Sequence, residues 1–163
     1  MNEQEIHHLL YDIPENVDYT DISQELDLED VPKERVDKLR DLLHSDDLAV
    51  RFDAALLLTN WGVEDGLNTL IDLFEKGETK GFIPHHLHPY DDTNKHILDA
   101  LIGYWASQTD LHKEQEARKR IYPTIISIIK QAVHSAYSIA QIGFLITKIY
   151  IFIKKFIQNI SQF

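Results

Sequence analysis

The chain contains no cysteine, and only six glycines, five prolines and one methionine among its 163 residues. Without cysteine there is no disulfide, no thiolate zinc site and no cysteine nucleophile. That absence fits a reducing compartment, and a cytoplasmic protein is the expectation. Residues Met1 to Glu5 lack the basic flank and apolar run of a secretory signal. Lysine and arginine are missing from the first 30 residues, which hold ten acids and so carry −10. Residues 31–81 hold eleven acids and seven bases, −4, and residues 82–163 hold six acids and nine bases, +3. This distribution argues against nucleic acid as a direct partner of the acidic half, because phosphate is repelled there and no basic groove offsets it. A basic protein would be attracted instead. No Gly-x-Ser-x-Gly elbow, phosphate-binding glycine loop or His-Glu-x-x-His pair is present. These gaps predict a protein that is not an enzyme and needs no cofactor. What is present, 44% hydrophobic and 26% charged residues, describes one ordinary globular domain spanning 1–163.

The organising stretch is Asp47 to Leu58. Asp47 is placed to cap a helix by accepting first-turn N–H groups. Phe52, Ala55, Leu56 and Thr59 recur at three- and four-residue steps, so they share a helical face. Ala54 and Ala55 allow a second helix to lie close, and Arg51 can reach back to a carboxylate or carbonyl one turn away. Acid, Val-Arg, Ala-Ala and Leu at this spacing resemble the second helix of a HEAT repeat of the phycobilisome-lyase type. The resemblance implies an all-α fold of stacked antiparallel helix pairs, a short α-solenoid.

Around that helix the chain reads in order. Residues 2–11 form a short helix with Ile6, Leu9 and Leu10 on one side. Residues 1–31 make an acidic N-terminal segment threaded with Ile13, Val17, Tyr19, Ile22, Leu26 and Leu28. Two readings of it stand: those side chains pin it to the domain, or its carboxylates form a contact strip that imitates a row of phosphates. Residues 33–107 hold two helix pairs. Val36, Leu39, Leu42 and Leu43 mark the first helix, following Pro32, and the Asp47 helix is its partner. Gly62 is a plausible stop. Leu67, Leu70, Ile71 and Phe74 mark the third helix, and 92–107 is its expected partner, at an offset of 45 that lays Asp92 under Asp47.

Residues 109–163 form the C-terminal helices. Residues 109–120 are polar, a connector or a short helix. Ile121 to His134 is the next helix, with Pro123 in its first turn. Last is a long apolar helix, Ser138 to Ile160, with a seam of Ile139, Ile142, Ile146, Ile149, Ile153, Phe156 and Ile160. A membrane span is its rival, but Lys148 interrupts it and no uncharged window of ~18–20 residues exists. The expectation is a packed helix and no membrane, with self-association through 138–160 an open option.

Two places carry the candidate partner-binding residues. The acidic strip supplies Asp18, Tyr19, Asp21, Glu25, Asp27, Glu29 and Asp30. The connection 77–91 is longer than a helix turn needs and is shaped by two glycines and two prolines. Shaped loops on regular scaffolds often carry function. It supplies Phe82, His85, His86, His88 and Tyr90, and with Asp91 and Asp92 it completes the set. His85, His86 and His88 also raise the alternative of a metal-dependent enzyme. Against it, the HEAT-fold iron hydroxylases are recognised by His-Glu dipeptides, and this chain has none. The expectation is no metal.

The Asp47–Leu58 repeat, the loop ending His88-Pro89-Tyr90-Asp91-Asp92 and the helix Ile97–Tyr104 together resemble the small HEAT-like immunity proteins of bacterial polymorphic toxin and contact-dependent inhibition systems. The likeness covers residues 33–107. It implies a protein that neutralises a cognate toxin domain by covering its active site, here a basic nuclease drawn to the acidic surface. A HEAT-repeat scaffold or lyase-like protein that binds another protein is the alternative from the same repeat.

Overall fold

The computed structural model describes residues 1–15, 17, 22–85, 87 and 89–132. The described chain is mostly helical: α1 (Glu3–Tyr11), α2 (Lys33–Leu42), α3 (Leu48–Asn60), α4 (Glu64–Glu75), α5 (Thr93–Asp110) and α6 (Glu114–Ala132). No strand occurs among the described residues, whose one β feature is an isolated antiparallel bridge between Pro84 and Asp91. The long apolar helix expected at 138–160 lies outside the described residues.

α3 is the centre, as its composition predicts. Asp47 caps it, accepting from the N–H groups of Ala49 (2.9 Å) and Val50 (3.3 Å). Every residue from Ala54 to Thr59 is buried, with Phe52 before them. A helix apolar all round must be enclosed, and α1, α2, α4 and α5 all pack on it. Arg51 reaches back to the Ser45 carbonyl at 3.0 Å, the contact its position allows.

The helices leave α3 through a repeated turn. Gly62, at φ +77°, donates to the Thr59 carbonyl, and Val63 donates to Leu58. The same pair of bonds closes α5: His112, at φ +58°, donates to Thr109, and Lys113 donates to Gln108. Both are left-handed caps that satisfy the last carbonyls of a helix and reverse the chain. α4 therefore folds back on α3, where Gly66 sits against Leu58 and Thr59 too closely for a side chain. α6 folds back on α5, and near its end Gln131 accepts from the Asn94 side chain at 3.1 Å.

The tightest partner of α4 is thus α3, and it meets α5 only lightly. The expected pairing of 64–75 with 92–107 gives way because a three-residue turn holds α4 to α3, while the long loop carries the chain across to α5. The 45-residue offset holds at the helix starts, Leu48 and Thr93, and becomes 50 at the ends, Asn60 and Asp110, because α5 is longer. Asp92 also does not repeat the cap of Asp47. Asp91 takes that part, accepting from the Thr93 N–H at 3.0 Å.

α6 corrects another expectation. It runs unbroken from Glu114, so 109–120 is largely helix and Pro123 lies inside rather than in a first turn. An internal proline removes one backbone bond. Tyr122 and Pro123 face solvent, where water can satisfy the freed carbonyl, while Ala117, Ile121, Thr124, Ile125 and Ile128 are buried on the other side.

Candidate protein-docking surface

The acidic strip is held down by a buried clamp. Arg35 lies one helical turn before Leu39 on the inward face of α2 and is 8% exposed. Its Nε donates to the Leu9 carbonyl at 2.8 Å, its Nη2 approaches Ser23 Oγ at 3.5 Å, and its guanidinium stands 5.3 Å from the centre of the Trp61 ring. Trp61 Nε1 donates to the Ser23 carbonyl at 2.8 Å, and Ser23 Oγ donates to the Asp12 carbonyl at 3.0 Å. Burial lowers the Arg35 pKa from its ordinary value, with the Asp12 charge opposing that shift. Leu26 and Val31 are buried beside the clamp.

Of the apolar residues in the segment, Leu26 is buried and Val17 packs against the core from a partly buried position. Ile22 and Leu28 are exposed, and Ile13 and Val17 are half-buried. Two short 3-10 turns, Ser23–Glu25 and Leu28–Asp30, then set the carboxylates. Glu25, Asp27 and Glu29 face solvent and Asp30 is half-buried. Asp18, Tyr19 and Asp21 lie outside the described residues.

The 77–92 loop is closed at its base. His85 N–H donates to the Tyr90 carbonyl (2.9 Å), and Asp92 N–H donates to the Ile83 carbonyl (2.8 Å). Asp91 ties both ends: Oδ2 accepts from the Gly81 N–H at 2.8 Å, and Oδ1 accepts from the Thr93 hydroxyl at 2.5 Å. The buried Thr93 hydroxyl in turn accepts from Ile83 N–H at 2.9 Å. Phe82 stacks on Phe52 with ring centres 4.9 Å apart, which fastens the loop to α3. His85 Nδ1 accepts from Leu87 N–H at 3.1 Å, and its Nε2 stands 3.9 Å from Asp92 Oδ2. Leu87 and Tyr90 are exposed, 71% and 42%.

His86 and His88 lie outside the described residues, so the metal alternative rests partly there. Among the described residues no group of three or more His, Asp or Glu could hold a metal ion, and no helix is long and apolar enough to cross a membrane.

The loop is anchored at Phe52 and the strip at Trp61, nine residues further along α3, about 13 Å at the helical rise. Sequence reasoning missed Arg35 and Trp61, the residues that fix the strip. The available signal was a charged residue in register with Leu39 and Leu42. Also missed was Tyr11, whose hydroxyl donates to Asp53 on α3 at 2.7 Å.

No protein-family model, curated protein or solved structure matches this chain.

Proposed function

We propose that this chain is a protein-binding immunity protein, built on HEAT-like stacked helix pairs, that neutralises a cognate bacterial toxin domain in the cytoplasm by covering its active site. The toxin is a basic protein, a nuclease whose phosphate-binding cleft accepts carboxylates in place of phosphates. One observation carries this reading: Glu25, Asp27 and Glu29 are exposed on a strip whose backbone is fixed by Leu26, Val31 and the Arg35–Trp61 clamp. A pinned anionic strip loses less conformational entropy on binding than a free acidic tail, and its charge accelerates encounter with a basic partner.

The direct test is coexpression with the toxin domain encoded beside this gene, which should restore growth. Failure to rescue would remove the reading. Association should also slow as salt rises, and replacing Asp18, Asp21, Asp27 and Asp30 by Asn should lower the on-rate at low ionic strength. Unchanged stopped-flow kinetics would assign the strip to solubility alone.

A further inference from the structure

A groove of about 1000 Å³ opens between residues 24–29, the α3–α4 turn and the last turns of α5. Glu25, Asp27 and Glu29 stand on one side and Asp110 on the other, and among the described residues no lysine, arginine or histidine lines it. Between these carboxylates it offers apolar surface. Leu28 is 43% exposed, Leu111 is 59% exposed, and Trp105 is half-buried. On its floor Gly103 packs closely on Asn60, where an added Cβ would stand 3.3 Å from the Asn60 carbonyl oxygen, and Ala106 is exposed.

Anionic walls around an apolar floor select for an occupant that is cationic at its edges and apolar at its centre. A bare metal ion leaves the floor uncovered, and a nucleic acid meets the wrong sign. We infer that this groove receives a basic segment of the protein partner, with lysines or arginines flanking an apolar side chain. The apolar anchor packs on Leu28, Trp105 and Leu111, while the cations pair with Glu25, Glu29 and Asp110. The inference rests on the protein-binding function proposed above and deepens it by naming the recognised element. It also moves half of the docking surface onto α5.

Trp105 is the solvent-accessible reporter of the groove, since the only other tryptophan, Trp61, also borders it but is 2% exposed. The probe is a short synthetic amphipathic peptide of lysine and leucine, titrated into the full chain while tryptophan emission is followed. Saturable blue-shifted emission is expected, and an oligolysine of the same charge should bind more weakly. Reversing Glu25, Glu29 and Asp110 to Lys should cost the peptide about tenfold or more in affinity. Reversing Glu3, Glu75 and Glu78, which are exposed and outside the groove, changes net charge equally and should cost no more than about threefold. Equal losses from both triple variants would overturn the inference. So would oligolysine binding as tightly as the amphipathic peptide, or self-association of the chain through this face. Growth rescue separates the two levels: rescue by the groove variant removes the groove and keeps the inhibitor. Specific peptide binding by a chain that cannot rescue growth does the reverse.

Discussion

The turns that end α3 and α5 have the same backbone and different side chains. Gly62 and His112 both occupy the left-handed region and both close their helices with the same two hydrogen bonds. Histidine can adopt that conformation at a modest cost, whereas glycine adopts it freely. The same two bonds also close α4 at Gly77 (φ +72°), where an added Cβ would meet nothing within 4 Å among the described residues, so close packing does not place glycine in this turn; it makes Gly62 the one hard to replace. A Cβ at Gly62 would lie 2.1 Å from Ser107 Oγ and 2.7 Å from Ser107 Cβ, and Gln108 Nε2 donates to the Gly62 carbonyl at 3.1 Å. The first turn is pressed against α5, while His112 is exposed. One local motif is thus a packing site at the end of α3 and an exposed turn at the end of α5.

Gly62→Ala should be the most damaging change at either turn. It combines a positive φ with overlap on a side chain fixed to α5, and a loss of about 2–4 kcal/mol is expected in chemical denaturation. A loss below about 0.5 kcal/mol would show that α5 yields easily.

The residues just before each turn should diverge next. Trp61→Phe removes the buried indole donor to Ser23 and weakens the stacking of Arg35, costing about 1–3 kcal/mol. Hydrogen exchange should then quicken across residues 22–31. Leu111→Ala, at an exposed position, should stay within about 0.5 kcal/mol. His112→Gly should stabilise the chain by a few tenths to about 1 kcal/mol, by relieving the left-handed histidine; a loss would assign the His112 ring a contact that matters.

The smallest effect concerns titration at the other end of α3. Burial, aided by the hydrogen bond to Asp53, pushes the Tyr11 phenol up to about 12 from 10.0. Because the folded value is the higher one, the stabilisation is complete below pH 10 and is lost as pH rises through about 12. Tyr11 is half exposed, so solvent screening keeps the effect small. Burial already raises the Asp53 pKa, and the Tyr11 hydroxyl opposes that shift. Tyr11→Phe should therefore move Asp53 further upward in a carboxyl NMR titration. An unmoved Asp53 would show that water replaces the hydroxyl.

The helices were legible because their signals are local. Asp47 caps α3, Val36, Leu39, Leu42 and Leu43 are buried where the stripe put them, and Leu67, Leu70, Ile71 and Phe74 likewise face inward. Gly62 stops α3 as its position implied. Pro123 misled because a proline suits a first turn, yet an exposed ring is also tolerated within a helix whose opposite face is buried.

The acidic strip was legible as charge but not as structure. Whether ten acids form a tail or a surface depends on what holds them, and the holding groups, Arg35 and Trp61, lie in later elements. Asp91 is a similar case. Its sequence neighbours marked it as a contact residue, and only the structure adds that its carboxylate closes the base of the loop.

Periodicity, capping residues and the sign of the charge are properties of neighbouring residues, and the sequence alone determined them: the helical class, the central place of α3 and the anionic N-terminal third. Which helices press together, which glycines leave no room for a side chain and where the carboxylates stand were decided by tertiary structure. Those features depend on contacts between residues tens of positions apart, such as Trp61 with Ser23 and Gln108 with Gly62, and no local pattern encodes such distances.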